Sequence, residues 1–377
     1  MLKLLRPVIF ALLAAIAACA TPAPIASDHT SARASDRAAK PLAVIAAMHA
    51  ALAGTCQPCA VDADCSTGLC YGGRCYPQGV STAPAPATCT LPAAPSPAAP
   101  ESVNWYKPAD TSTGWFVVTM PPSGITPIGW ILLVHGGQWR DDDTAPGLTP
   151  TTGASPNNTA TIYDRQRFAG IGYVVVSPAH RSVATFARPA QESDIVCAAR
   201  AAAASAASFL SPAAASRAFI AGASSGASLA ALVADGGAVE DGTCPAATAA
   251  LPLPAFRGAI LWSGVYRDDA SDLSSNAVTT IATEIGCALS SCPTTWASAS
   301  PWAYVHPGGP DRLIWHGAAD PVLPPTQSSA YATQALGRGE NITQGTTTGN
   351  QAGAHAPPAL VYSQLGCAAL GFLTAHP

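Results

Sequence analysis

The amino-acid sequence predicts an α/β fold, a mostly parallel central sheet with helices on both faces, preceded by a short disulfide-rich N-terminal module. Three observations carry this. Short, continuous apolar runs recur at residues 114–120, 130–134, 173–177, 218–221, 258–262 and 312–315, as in strands whose two faces are both covered. Helical stretches such as 191–210 and 225–234 stand between them, and that alternation argues for a parallel sheet. Upstream, Cys56, Cys59, Cys65, Cys70 and Cys75 crowd into a segment too short to bury a core, where covalent staples must replace the hydrophobic effect.

Composition narrows the class of function. With 377 residues, 49% of them hydrophobic, the chain can build one large core and still carry extra segments. Charged residues make up only 11% and the net charge is −4, which excludes the clustered Lys and Arg of a nucleic-acid surface. Twelve cysteines suit an exported protein better than one kept in a reducing compartment.

The N-terminus agrees with export. Lys3 and Arg6 precede an uninterrupted apolar run at residues 8–18, the length of a signal-peptide core and too short to span a bilayer comfortably. The run ends in Ile16-Ala17-Ala18-Cys19, which resembles the lipobox of bacterial lipoproteins. That resemblance implies a lipid on the Cys19 thiol, a membrane anchor, and a place in the cell envelope or at the cell surface. The alternative is an ordinary signal peptide cut near Ala20 and free secretion. The organisation read from the chain is therefore residues 1–19 as signal peptide with lipobox and 20–54 as flexible tether. Residues 55–77 follow as cysteine-rich module, 78–100 as Pro/Ala linker and 101–377 as the α/β domain. In the module, Cys56-x2-Cys59 also has zinc-ligand spacing, but residues 55–77 contain no histidine and an oxidising compartment favours disulfides. The module offers a possible contact for a polymer or another protein.

The sharpest motif is Gly222-x-Ser224-x-Gly226, entered by a strand and left by a small-residue helix. A serine on so sharp a turn needs small residues two positions to either side, and Gly222 and Gly226 supply them. The turn aims the next backbone N–H, that of Ser225, at the place where an oxyanion would form. Upstream, the apolar run 130–134 ends in His135-Gly136-Gly137. Glycines there let the Gly136 and Gly137 amides approach a carbonyl oxygen, each such donor contributing about 3–4 kcal/mol to the transition state. His135 then supports the loop. A plain Gly-Gly turn is the alternative.

Taken in order, these stretches resemble the carboxylesterase branch of the α/β-hydrolase superfamily, the hormone-sensitive-lipase-like group with a His-Gly-Gly motif. The similarity runs from about Val103 onward through His135-Gly136-Gly137, residues 168–178, the Ser224 turn, residues 261–266, Ser300-Pro301-Trp302 and residues 313–320. It implies an α/β-hydrolase fold and a serine carboxylic-ester hydrolase working through an acyl-enzyme on Ser224, with no metal or organic cofactor. It also implies that Asp320, after the turn His316-Gly317-Ala318-Ala319, is the acid of a Ser-Asp-His triad. Asp268 and Asp269 are the fallback. The third glycine of the usual run is Gln138 here, which brings a side chain to the acyl side of the site and bears on substrate range.

The base must follow the acid. His355 meets this in the small-residue loop Gly353-Ala354-His355-Ala356-Pro357, with room for a helix and a strand after Asp320. His376, next to the terminus, is expected to fray, and His180, His306 and His316 precede the needed position or serve other motifs. Among the later cysteines, Cys287 and Cys292 are close enough to bridge within one loop. With Cys197, Cys244 and Cys367 they make an odd number, leaving one thiol free or one link to Cys89. Trp139, Trp262, Trp296 and Trp302 either line a cleft or pack in the core. An amidase or peptidase on the same scaffold, or a surface-displayed binding protein, are the competing readings. The prolyl-oligopeptidase-like enzymes usually have another glycine where this chain has Ala227.

Overall fold

The apolar runs become strands because each buries both faces, and the period-2 alternation of a strand divides its side chains between two layers. In Gly129–Val134, Trp130, Leu132 and Val134 join one buried cluster while Ile131 and Leu133 join the other. The computed structural model describes residues 69–376, apart from 72–73, 77, 83–88, 111, 144–146, 152, 269–270 and 360–362. The lipobox with Cys19, the tether, and Cys56, Cys59 and Cys65 of the module lie outside the described residues, as does Asp269.

The chain divides into two units, residues 1–78 and 79–377. Of the first, the described part is a hairpin of β1 (Leu69–Tyr71) and β2 (Arg74–Tyr76) that sets Cys70 opposite Cys75. Cys75 is disulfide-bonded, as the oxidised reading expects.

The second unit holds a nine-stranded sheet. In chain order its strands are β3 (Ser81–Thr82), β4 (Glu101–Trp105), β5 (Trp115–Thr119), β6 (Gly129–Val134) and β7 (Tyr173–Pro178), then β8 (Ala218–Ala223), β9 (Gly258–Trp262), β10 (Asp311–Gly317) and β11 (Ile342–Thr347). In space the order is β3-β11-β10-β9-β8-β6-β7-β5-β4. The pairs from β3 through β7 are parallel, and only β5 with β7 and β4 with β5 are antiparallel. Helices α1 (Thr159–Gly170) and α7 (Ser363–Ala375) cover one face. Helices α2 (Ala190–Phe209), α3 (Ser225–Ala234), α4 (Ser275–Ile285), α5 (Pro293–Ala299) and α6 (Thr326–Gly337) pack on the other. After β7 the chain crosses back over β6 to form β8. Loops leaving β6 and β8 therefore diverge, and a crevice opens at the carboxyl ends of these strands.

The strands and helices foreseen from the sequence agree with the observed ones to within two residues at each end. Five strands were not foreseen by position: the short β1, β2 and β3, and the longer β4 and β11. β4 is a half-exposed edge, and β11 is the polar run ITQGTT, whose partner on one side is only the two-residue β3. Neither carries the apolar signature of a strand covered on both faces.

In residues 78–100, read above as a linker, the described residues from Gly79 onward instead lie along the larger unit. β3 pairs with the open edge of β11, Cys89 is bonded to Cys367 of α7, and the Gln166 side chain bonds both the N–H and the C=O of Ala99, at 2.7 and 3.2 Å. Prolines preclude a helix here, but an extended strap fastened by side chains and a disulfide satisfies the same chain. Cys197–Cys244 and Cys287–Cys292 complete the described bridges. The Cys89–Cys367 bridge spans 278 residues, so it removes much entropy from the unfolded chain. Replacing both cysteines by serine is expected to cost about 2–5 kcal/mol, read as a lower melting midpoint by calorimetry. An unchanged midpoint would show that the strap holds without it.

Candidate active site

β8 ends at Ala223 and α3 begins at Ser225, so Ser224 must turn the chain within one residue. It does so at φ 53° and ψ −126°, a conformation costing an L-residue on the order of 1–3 kcal/mol. Its N–H donates to the carbonyl of Trp262 on β9 at 3.0 Å, which anchors the strained turn to the sheet. A Cβ on Gly222 would stand 2.3 Å from the Gly226 carbonyl oxygen, and one on Gly226 would stand 2.4 Å from the carbonyl oxygens of Val134 and His135. Both glycines are thus required by close backbone approach.

His355 reaches the serine from the loop after β11. Its Nε2 accepts from the Ser224 hydroxyl at 3.0 Å, and its Nδ1–H donates to Asp320 Oδ2 at 2.8 Å. That tautomer follows from the carboxylate, which can only accept. The loop is pinned where it matters. Trp262 Nε1–H donates to the Pro357 carbonyl at 2.8 Å, and Ala319 N–H donates to the Ala352 carbonyl at 2.9 Å. A Cβ on Gly317 would meet the Ala352 oxygen at 2.6 Å, so β10 and the His355 loop touch backbone to backbone.

Asp320 is itself held on both oxygens. Oδ1 accepts from the Val322 and Leu323 amides at 2.8 and 3.1 Å, and Oδ2 also faces His316 Nε2 at 3.3 Å. Burial by itself raises the carboxyl pKa, but the hydrogen bonds of His316, His355 and Val322 outweigh it and hold Asp320 well below the usual carboxylate range.

The glycine loop lies against the nucleophile: a Cβ on Gly136 would be 3.1 Å from that of Ser224, and one on Gly137, at φ 130°, would collide with Ala154. Among the described residues, none accepts from the backbone N–H of Gly136 or Gly137. The N–H of Ser225 opens α3, where the first amides have no intrahelical partner. His135 is buried beside the loop with its Nδ1 2.9 Å from the Gly136 carbonyl oxygen. Gln138 is exposed at φ 63° and the buried Trp139 follows at φ 57°.

Among the described residues, the non-glycine positions with positive φ are Gln138, Trp139, Ser224, Ser263 and Ala356. Every one lies just past the end of β6, β8 or β9, or beside His355. Backbone strain collects where a site over-determines its geometry, and here it marks one neighbourhood.

Other candidates fall elsewhere. Asp268 is buried near Ser300 Oγ, to which its N–H bonds at 2.9 Å, and does not join His355. His376 does not fray: its Nε2 lies 2.7 Å from Asp311 Oδ2 at the amino end of β10, away from Ser224. Trp139, Trp262 and Trp296 are core residues, and Trp302 is half-buried beneath Arg267. Sequence reasoning passed over Asp141 and His180, which flank His135: the two rings stack at 4.7 Å, and Asp141 Oδ2 lies 3.4 Å from His135 Nε2. The run Asp141-Asp142-Asp143 directly after the glycine loop was the available signal.

Solved structures share this architecture. A truncated carbohydrate esterase from gut microbiota superposes with TM-score 0.62 at 22% identity, covering 76% of this chain and 99% of its own. A bifunctional GH43-CE protein of Bacteroides eggerthii gives TM-score 0.58 at 21% identity, over 73% of this chain and 35% of its own. A thermophilic esterase of the planctomycete Thermogutta terrifontis, with butyrate bound, gives 0.55 at 19% identity, over 74% and 94%. Among curated proteins, none matches the chain. The sequence profile of the BD-FAE family matches residues 117–335, a span that runs from β5 into α6 and holds the glycine loop, Ser224 and Asp320. That span exceeds half of the chain, which therefore belongs to the BD-FAE family and is an esterase of the α/β-hydrolase fold.

Proposed function

We propose that the protein is a serine carboxylic-ester hydrolase in which Ser224 forms the acyl-enzyme, His355 moves the proton and Asp320 orients and charge-balances His355. The observation carrying this reading is the unbroken chain Ser224 Oγ, His355 Nε2, His355 Nδ1, Asp320 Oδ2 at 3.0 and 2.8 Å on a strained serine. His355 takes the Ser224 proton as Oγ attacks the ester carbonyl, then returns it to the leaving alcohol. The amides of Gly136, Gly137 and Ser225 receive the charge on the tetrahedral oxygen. Water repeats the sequence on the acyl-enzyme. The resemblance to the hormone-sensitive-lipase-like branch rests on His135-Gly136-Gly137 and belongs to this proposal.

The substrate class we propose is an acyl ester of a carbohydrate polymer, acetyl or phenolic. Carbohydrate esterases among the structural neighbours support it, as does the exposed Gln138, which puts a polar side chain at the glycine loop. Residues 1–100 fit the same setting: an exported chain anchored through Cys19 or secreted, with the cysteine-rich module as a contact for polymer or protein.

A fluorophosphonate probe tests the nucleophile. The protein is expected to label once per chain and Ser224→Ala not at all; labelling that persists in the variant rejects the assignment. Faster cleavage of aminoacyl anilides than of nitrophenyl acyl esters would move the reading to an amidase.

A further inference from the structure

Beneath the glycine loop is a second hydrogen-bonded set that the reaction scheme does not use. His135 Nδ1 lies 2.9 Å from the Gly136 carbonyl oxygen. A carbonyl only accepts, so Nδ1 carries a proton. In a trans peptide the C=O of Gly136 and the N–H of Gly137 point in opposite directions within one plane. Pinning that carbonyl therefore aims the Gly137 N–H the other way. With Nδ1 committed, a neutral ring would turn its Nε2 lone pair toward Asp141 Oδ2, 3.4 Å away, acceptor against acceptor. A proton on Nε2 turns that repulsion into an ion pair.

We propose that His135 is an imidazolium clamp on the Gly136–Gly137 peptide, with Asp141 as its counter-ion and His180 as a neutral ring stacked on it. The oxyanion donor then stays aimed only while His135 keeps both protons. This rests on the function proposed above and adds positioning residues to it.

The surroundings agree. Asp141 is fixed for the task, since Oδ2 accepts from the His180 amide at 3.1 Å and Oδ1 from the Asp143 amide at 3.0 Å. His180 Nδ1 lies 3.0 Å from the Arg181 carbonyl oxygen, so its proton is placed there too, and its buried Nε2 has no hydrogen-bond partner. Stacked at 4.7 Å and 8°, two imidazolium rings would repel, whereas one charged and one neutral ring attract. The other charges facing the pair are Asp143, Asp194 and Arg181. Asp194 is already matched by Arg181, at 2.9 Å, and by Lys107, which leaves Asp141 to His135. Burial opposes a charge on His135, but the Asp141 carboxylate, 3.4 Å from an Nε2 that has no hydrogen-bond partner, outweighs it and raises its pKa above the ordinary imidazole value. Burial, then the His135 charge, pushes His180 down to about 4.

When His135 loses one proton, the Asp141 carboxylate draws the remaining one to Nε2, and Nδ1, now an acceptor, releases the Gly136 carbonyl. The Gly137 N–H then loses its aim, so kcat falls on the alkaline side while KM holds. Asp141→Asn removes the counter-ion and is expected to move that alkaline limb down by about one pH unit or more, leaving the acid limb in place. Nitrogen-15 imidazole spectra of the wild-type chain, with His135 assigned through His135→Gln, are expected to show His135 doubly protonated near neutral pH and His180 neutral. A His135 that is neutral there, or an Asp141→Asn profile that superimposes on wild type, overturns the clamp. Should Asp141→Asn not fold, the wild-type spectrum decides. Failure of the underlying reading looks different: Ser224 would not label with fluorophosphonate. A labelled, active enzyme with a neutral His135 defeats the clamp alone.

Discussion

Ser224→Ala is expected to lower kcat/KM for a nitrophenyl acyl ester by at least about 10⁴-fold, while the melting midpoint stays or rises. The size follows from the geometry. Ser224 Oγ is the atom to which His355 Nε2 is hydrogen-bonded, so its loss removes the covalent route and leaves the base without its proton. What survives is the rate that the Gly136, Gly137 and Ser225 donors give to direct attack by water. The turn is strained at φ 53°, and alanine occupies it with no greater Cβ conflict than serine, so the fold is retained. Steady-state kinetics on protein whose circular dichroism matches wild type reads the result. A variant keeping more than about a hundredth of wild-type activity would place the nucleophile elsewhere, well above the residual expected from donors alone.

Asp320→Asn is expected to reduce kcat by about 10⁴-fold with a small change in KM. An amide nitrogen facing His355 Nδ1 donates where the carboxylate accepted. The ring then shifts its proton to Nε2 and presents a donor, not an acceptor, to Ser224. Stability supplies a second readout. The folded-state pKa of Asp320 is depressed below its unfolded value, so its contribution is fully present above the ordinary carboxylate value of about 3.9 and is lost as pH falls below it. The wild-type midpoint should exceed that of Asp320→Asn near neutral pH, and the gap should shrink in acid. A gap independent of pH would mean that Asp320 is neutral in the folded protein. A kcat within tenfold of wild type would pass the acid's role to another carboxylate.

How far these residues were legible differs between them, and the reason is range along the chain. Gly222, Ser224 and Gly226 could be read because their constraint is local: a turn made in one residue demands small neighbours two positions away. His135-Gly136-Gly137 was legible in the same way, as glycines at the end of an apolar strand. Asp320 and His355 are 35 residues apart and each looks ordinary alone. Chain order and resemblance selected them, and their distance to Ser224 belongs to the fold. Asp141 and His180 had no local mark beyond an acidic run, because a stacked histidine pair across two loops leaves no spacing rule in one sequence.

The sequence by itself determined the layered α/β class, six of the seven interior strands and the serine turn, since periodicity and close-approach glycines act over a few residues. Only the tertiary structure decided that the proline-rich stretch from Gly79 is a strap pairing with β11 and bonded to Cys367, and that β4 and β11 extend the sheet. It also decided that Asp268 stands apart while Asp320 and His355 meet Ser224. Each of these depends on contacts between residues tens to hundreds of positions apart. Such contacts form where the crossover from β7 to β8 opens the crevice and where unpaired strand edges take whatever backbone can reach them.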